Sequence, residues 1–340
     1  MNYHASSRLV FVLSLFILCT STFLRADDAA PAAAPPEVAV THIPTANGEQ
    51  QPIRYFVPEE EQSGPVPLLV FLHSWSGDYS QPNLEWVVEA KARGWAAVLP
   101  NFQGPNFKPT ACGSELAQQE ILDAVDHMVE QSQIDSSRIY LAGASGGGHM
   151  SLLMAAKHPE RFTAVSAWVG ITDLFEWHAF HSRGEQPGKY AVNIEVSCGG
   201  KPGESKAIDA EYRSRSAIFF LDQAGDLPID IGAGIHDGHT GSVPVSHSLK
   251  AFNVIASAMD KPTVSDEVID HIVETEKVPE GVAALDEESA VEEDYPREIQ
   301  LRRTAGSSRV TIFEGGHEGL PSAAVAWLAK HSRETKTPEK

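Results

Sequence analysis

The sequence predicts an α/β domain in which a mostly parallel central sheet carries helices on both faces. Short, continuous apolar runs recur along the chain, as is typical of strands buried on both faces. Stretches with apolar residues spaced near 3.6 lie between them, as is typical of amphipathic helices. Strands that alternate with helices favour parallel pairing, and 340 residues with 42% hydrophobic content suit one large domain.

The N-terminus has the three-part pattern of a secretory signal peptide. Arg8 supplies a positive start, residues 9–18 form an apolar run interrupted only by Ser14, and Ala26 offers a small residue for cleavage. A membrane anchor is the alternative, but a run of residues 9–18 is too short for a bilayer that needs about 20 apolar residues. We therefore expect removal of residues 1–26 and export to the periplasm or the exterior, with no stable membrane insertion afterwards.

The mature chain is predicted to hold one domain over residues 38–332. Residues 27–37, rich in Ala and Pro, are predicted to be a disordered leader, and residues 333–340 a flexible tail. Residues 38–57 alternate apolar and polar side chains around Asn47-Gly48, which predicts an antiparallel hairpin. Buried strands are predicted at 67–72, 96–99, 138–142, 163–169, 228–235 and 309–313, and helices at 116–128, 150–155 and 323–328.

Two segments interrupt the alternation. Residues 173–216 are polar and aromatic and lie where a small cap could cover a cleft. Residues 260–298 are strongly acidic and form either a helical excursion or a solvated loop, and the charge run favours the loop.

The formal charge of −20 argues against nucleic acid or an anionic membrane surface as a partner. It identifies no substrate, and the sequence leaves the oligomeric state open. No cofactor is implied.

Ser145 is the candidate nucleophile. Residues 143–147 match Gly-x-Ser-x-Gly and lie directly between a predicted strand and a predicted helix. In that setting a tight turn pushes the serine hydroxyl out above the sheet. An incidental serine in a glycine-rich turn is the alternative.

His317 is the candidate general base, which a serine nucleophile requires. It follows the last predicted strand and is flanked by Gly315-Gly316 and Gly319, so a loop presents it before the closing helix. An exposed loop histidine without a catalytic role is the alternative.

Asp237 is the best candidate for the carboxylate that orients the base. It follows the predicted strand at 228–235, in His236-Asp237-Gly238-His239. Asp173 is the second candidate, although a helix cap is its expected role, and Asp222 and Asp226 come too early. The two histidines with Asp237 could also ligate a metal, but no second ligand cluster accompanies them.

Two backbone N–H groups are needed to bind the oxyanion. Gly146, next to the nucleophile, is expected to supply one. Trp75, in the loop after the strand at 67–72, is expected to supply the other, with Ser74 as second choice; Trp75 could equally form an aromatic wall of the pocket.

Cys112 and Cys198 remain once Cys19 leaves with the signal peptide. An even pair in an oxidising compartment permits one disulfide. Two buried free thiols are the alternative.

These motifs resemble the α/β-hydrolase superfamily, and more closely its prolyl-oligopeptidase-like and related esterase branch, over residues 67–330. The matching residues are His73 to Gly77, Pro100 to Gly104, the serine turn, Val243-Pro244 and Gly316-His317-Glu318, with the order Ser, Asp, His preserved. Ser74 replaces the glycine of the usual His-Gly pair. The common pattern would put the acid at Thr240, so Asp237 requires a rearranged loop, and this chain has no room for the propeller domain of the large members.

The resemblance implies a serine hydrolase that works through an acyl-enzyme. We expect hydrolysis of carboxylic esters, including small-molecule or polymer-derived esters, with a serine peptidase of prolyl-oligopeptidase type as the alternative. A catalytically silent, exported binding protein of the same fold is the second alternative.

Overall fold

The structure is a computed structural model that describes residues 37–59, 64–290 and 292–333. The predicted signal peptide lies outside these residues, as do residues 27–36 of the predicted leader and residues 334–340 of the predicted tail.

Within the described residues, nine strands form a single sheet in the order β1-β2-β4-β3-β5-β6-β7-β9-β8. Six neighbouring strands, from β4 across to β9, pair in parallel, while β1, β2 and β8 pair antiparallel at the two edges. The predicted fold class is therefore confirmed. The strands are β1 (Ala39–Pro44), β2 (Gln50–Phe56), β3 (Val66–Leu72), β4 (Ala96–Pro100), β5 (Ile134–Ala144), β6 (Ala164–Trp168), β7 (Ile229–Gly234), β8 (Ile299–Ala305) and β9 (Ser308–Phe313).

Helices follow most of the central strands and pack on the sheet. Among them, α1 packs against α9, and α3 packs on β5 and β6. They are α1 (Leu84–Ala92), α2 (Glu115–Gln131), α3 (Gly146–Lys157), α4 (Leu174–Phe180), α5 (Lys189–Cys198), α6 (Lys206–Ser214), α7 (Ser246–Ala258), α8 (Asp266–Thr275) and α9 (Pro321–Leu328). No helix of the described part of the chain is long and apolar enough to cross a membrane.

The central strands are buried on both faces, as their continuous apolar sequences predict. Every residue of β3, β4, β6, β7 and β9 is buried. A strand can be buried throughout only if both faces of the sheet are covered. Because these strands are parallel, their carboxyl ends lie at one edge of the sheet, where the loops that carry polar side chains come together.

The segment between β6 and β7 is helical. It contains α4, α5 and α6, whose apolar side chains form a second core with Trp75 and Val243. The members that come from the helices themselves are Leu174, Trp177, Ile194, Cys198 and Tyr212. These helices lie beside the loops at the carboxyl ends of β3 and β7, and we call them the cap.

The acidic segment and the strand after it differ from expectation. Residues 266–275 form α8, so the solvated-loop interpretation is wrong for that part. Strand β8 was not predicted, because its charged residues resemble a loop. Arg302 of β8 is nevertheless buried, and its charge is met by Glu292 at 3.2 Å and by the Thr311 hydroxyl at 2.9 Å.

Candidate active site

Ser145 lies at the sharp turn between β5 and α3. Its backbone has φ 58° and ψ −118°, a region that residues with a side chain rarely occupy. Such strain is typical of the turn that presents a nucleophilic serine. The Ser145 N–H donates to the Trp168 carbonyl at 2.9 Å, which fixes the turn against β6.

The glycines around Ser145 are required by close backbone contacts. A Cβ on Gly143 would lie 2.4 Å from the backbone carbon of Gly147, and a Cβ on Gly147 would lie 2.1 Å from the Leu72 oxygen. Both distances are far shorter than any real Cβ contact. The Gly-x-Ser-x-Gly spacing therefore has a steric cause in this fold.

Gly146 lies directly against the loop after β3. A Cβ on Gly146 would be 2.2 Å from the Trp75 nitrogen, so the two backbone amides are neighbours. Among the described residues, no protein acceptor bonds the Trp75 N–H. Two adjacent N–H groups beside a serine hydroxyl are what a developing oxyanion needs.

The loop after β3 is fixed by a buried histidine that the sequence argument did not single out. His73 has Nδ1 3.0 Å from the Ser74 carbonyl and Nε2 2.9 Å from the Asn101 carbonyl. Its ring stacks on Phe102 with centroids 3.9 Å apart. Burial lowers the pKa of His73, and the neutral ring donates from one nitrogen to one of these two carbonyls. A signal was present in the His73-Ser74 pair, which stands where the related pattern has His-Gly.

Asp237 and His317 are brought together although 80 residues separate them. Asp237 Oδ2 lies 2.8 Å from His317 Nδ1. Asp237 Oδ1 accepts the backbone N–H groups of Gly238 at 3.0 Å and Val243 at 3.2 Å. Asp237 is 2% exposed and both of its carboxylate oxygens are hydrogen-bonded, as is usual for a buried charged group.

The loop that carries Asp237 folds back on itself. The acid loop (residues 236–242) curls so that the Thr240 N–H donates to the His236 carbonyl at 3.0 Å. Thr240 is thus held in a turn of the loop. Gly241 is essential to this path, because a Cβ there would lie 2.1 Å from Asp237 Oδ1.

Asp173, the second candidate for the acid, caps a helix. Its Oδ1 accepts the N–H groups of Phe175 at 2.8 Å and Glu176 at 3.3 Å at the start of α4. Burial raises the pKa of this carboxyl.

Ser145, His317 and Trp75 line one cleft of about 320 Å³. Half-buried Tyr190 of the cap also lines it, and no Lys or Arg is found among its lining residues in the described chain. The other polar lining side chains are Ser74, Ser76, Gln81, Asn83, Glu85 and Glu318. Sequence reasoning did not place Tyr190 or Gln81 at the serine, because only the fold brings the cap and the loop before α1 to it.

The predicted disulfide is not formed. Cys112 and Cys198 lie in the same apolar cluster, and both are buried free thiols. Burial raises the pKa of Cys112 to about 12 and also raises the pKa of Cys198. Disulfide formation requires a thiolate, which this environment disfavours.

His236 and His239 do not form a metal site with Asp237. His236 bonds two glutamates, Glu276 and Glu314, and His239 Nε2 lies 2.7 Å from the Val273 carbonyl. No group of three or more His, Cys, Asp or Glu side chains in the described ranges could hold a metal ion.

Comparison with known proteins identifies the superfamily. Residues 113–265, which include Ser145 and Asp237, match the family model described as "Prolyl oligopeptidase family". The chain has the α/β-hydrolase fold, and residues 113–265 are similar to the prolyl oligopeptidase family. Ser145 lies at the strand-to-helix turn that carries the nucleophile in hydrolases of this fold.

Solved structures similar to this hydrolase have the same fold. The acylaminoacyl peptidase of Pyrococcus horikoshii aligns with a TM-score of 0.55 and 18% identity, over 66% of this chain and 35% of that one. A puromycin-hydrolyzing peptidase of Mycobacterium tuberculosis aligns with a TM-score of 0.54 and 19% identity, over 65% of this chain and 34% of that one.

Curated relatives match over shorter stretches. The acylamino-acid-releasing enzyme of Arabidopsis thaliana is 28% identical over 137 residues, which are 35% of this chain and 18% of that enzyme. Feruloyl esterase B of Neurospora crassa is 39% identical over 51 residues, which are 15% of this chain and 18% of that enzyme. The hydrolase thus matches less than a fifth of the length of either relative.

Proposed function

We propose that this hydrolase is a serine peptidase that cleaves short, N-acylated peptides through an acyl-enzyme at Ser145. The observation that carries the proposal is the 2.8 Å contact between Asp237 and His317, with His317 and Ser145 on one cleft. We favour peptides over esters as substrates because acylamino-acid-releasing enzymes and acylaminoacyl peptidases are prominent among the similar proteins.

The proposed reaction uses the groups in sequence. His317 Nε2 removes the proton of the Ser145 hydroxyl, whose oxygen attacks the substrate carbonyl. The N–H groups of Gly146 and Trp75 bind the resulting oxyanion. His317 then protonates the leaving amine, and water releases the acyl group from Ser145 by the same steps. Asp237 holds the Nδ1–H tautomer and stabilises the imidazolium.

The cleft supports small, uncharged acyl groups. Its volume of about 320 Å³ is at the lower end of the range for small-molecule sites. Glu85 and Glu318 line it without a Lys or Arg among the described lining residues. Glu318 is paired with Arg297 at 2.9 Å, so a carboxylate on the acyl side would meet the charge of Glu85 with no Lys or Arg of the described lining to bind it.

Ester hydrolysis is the second candidate. It is the expectation from sequence, and the match to feruloyl esterase B supports it. The uncharged side chains of Ser76, Gln81 and Asn83 in the cleft also suit a hydroxylated ester. The same acyl-enzyme serves both reactions, so the leaving group alone separates them.

A fluorophosphonate probe tests the serine mechanism. Labelling of the wild-type protein and its loss in Ser145→Ala are expected, whereas an unlabelled wild type would favour a silent binding protein.

Matched substrates then decide between peptidase and esterase. They are N-acetyl-alanyl anilide and N-acetyl-alanyl methyl ester, which share the same acyl group. Cleavage of the ester alone would reject the peptidase and favour the esterase.

We also propose that the protein is exported, on the pattern of residues 1–26. Intact mass and N-terminal sequencing of protein recovered from the periplasm or medium test this. A mature chain starting near residue 27 is expected, and a cytoplasmic chain that retains residues 1–26 would contradict export.

A further inference from the structure

His236, the residue before Asp237, bridges three parts of the fold with one side chain. Its Nδ1 lies 2.7 Å from Glu276 Oε2 at the end of α8. Its Nε2 lies 2.8 Å from Glu314 Oε1, just after β9. Glu314 begins the base loop (residues 314–319), which carries His317. One imidazole therefore connects the acid loop, the base loop and α8.

The geometry requires a doubly protonated ring. An ionised carboxylate only accepts hydrogen bonds, so an imidazole bonded to a carboxylate through each nitrogen must donate from both. The hydrogen bonds to Glu314 and Glu276 accordingly raise the pKa of His236. His236 is an imidazolium in the arrangement observed.

The other groups near His236 in the described chain do not pair with its positive charge. From its own loop, His239 Nδ1 lies 3.7 Å from Glu276 Oε1, and from β8 the uncharged Gln300 donates to Glu314 Oε2 at 3.2 Å. The next charges along the base loop are already paired, Arg297 with Glu318 at 2.9 Å.

The two loops also touch through their backbones. The His236 N–H donates to the Gly315 carbonyl at 3.0 Å. A Cβ on Gly234 would lie 2.2 Å from the Gly316 oxygen, so nothing separates the strand end before Asp237 from the residue before His317. A change at the His236–Glu314 contact is thus three residues or fewer from both triad members.

Glu276 adopts an unfavourable backbone conformation at the position from which it contacts His236. It closes α8 in the left-handed conformation, with φ 56° and ψ 31°, at a position where glycine is usual. Its side chain reaches His236 from there. A glycine would relieve the backbone and lose the carboxylate.

We propose that His236 is a positioning residue, which in its doubly protonated form clamps the acid loop to the base loop and so maintains the Asp237–His317 contact. This rests on the proposed function, because the clamp acts only through the triad.

Loss of one proton opens one side of the clamp. A ring nitrogen without hydrogen presents a lone pair to a carboxylate oxygen, and the two repel. Because the pKa of His236 is raised, the stabilisation is fully present below about pH 6.5 and is lost as pH rises through the raised value. The proposed hydrolase should therefore lose activity on the alkaline side, with an apparent pKa that belongs to His236.

The test is the pH dependence of kcat/KM on one activated ester, p-nitrophenyl acetate, for wild type, His236→Gln and Glu314→Gln. His239→Gln is the matched control, since His239 lies on the same loop and approaches the clamp only at Glu276, at 3.7 Å. We expect an alkaline limb in the wild type and in His239→Gln. Both clamp variants should lack that limb and lose about tenfold in kcat at pH 7, with KM changed little.

A second variant separates positioning from folding. Glu276→Gly removes one carboxylate while easing the backbone, so it should fold at least as well as Glu276→Gln and show the same reduced kcat. Clamp variants that melt lower but keep the wild-type pH profile and kcat would overturn the proposal, leaving His236 a structural residue. A wild type inactive on every ester and anilide would instead reject the proposed function.

Discussion

Asp237 Oδ2 lies 2.8 Å from His317 Nδ1, and the other Asp237 oxygen is bound by two backbone N–H groups from its own loop. The acid is therefore held in place before any substrate arrives.

Asp237→Asn tests the orienting role. The amide should keep the shape of the site but favour the wrong imidazole tautomer, and turnover should fall about 10³ to 10⁴-fold. Steady-state kinetics beside a thermal melt measure this. A variant with turnover within tenfold of wild type would remove Asp237 from the mechanism.

Asp173→Asn is the contrasting variant. Asp173 caps α4 through two backbone N–H groups, so the substitution should cost about 1 kcal/mol of stability or less and leave turnover nearly intact. Denaturant unfolding and the same kinetic assay check both parts. Inactivity here, with an active Asp237→Asn, would exchange the two assignments.

Gly146→Ala tests the oxyanion site. The new Cβ would lie 2.2 Å from the Trp75 nitrogen, so one of the two N–H donors must move. The expected loss is about 10² to 10³-fold in kcat, as for removal of one donor. Gly184→Ala is the control, because its nearest neighbour would be 3.5 Å away. Normal kcat in Gly146→Ala would place the oxyanion elsewhere.

The cysteines give a prediction about thiol reactivity. Because burial raises the pKa of Cys112 to about 12, neither thiol should react with Ellman's reagent in the native protein at pH 8. Two thiols per chain should react after denaturation without reductant, in protein that lacks Cys19. A mass two hydrogens lower than that of reduced protein would show a bridge.

Glu292 gives the acidic segment a structural role. Burial raises its pKa, but Lys330, Arg309 and Arg302 together hold the pKa below its ordinary value. Its stabilisation is therefore present above about pH 4.5 and is lost as pH falls through the lowered pKa. Glu292→Gln should cost about 2 kcal/mol at pH 7 and less at pH 3, by denaturant unfolding. An equal cost at both pH values would exclude the ionised carboxylate as the cause.

The sequence by itself determined the central strands of the sheet and the turn that carries Ser145. Continuous apolar strands can be predicted because burial on both faces of the sheet permits few polar residues. The positions of Gly143 and Gly147 can be predicted because no side chain fits beside the serine there. The order of the predicted elements along the chain also placed His317 after the last parallel strand, at the edge of the sheet where the loops converge.

Only the tertiary structure decided the remainder. The irregular spacing of Asp237 is resolved by a loop that folds back through Val243, a contact that no local pattern encodes. Arg302 belongs to a strand because Glu292 neutralises it from ten residues away in sequence. The two carboxylates on His236 come from α8 and the base loop, 40 and 78 residues distant. Local sequence records propensity and burial, whereas pairing of charges across the fold depends on which loops the sheet brings to one edge.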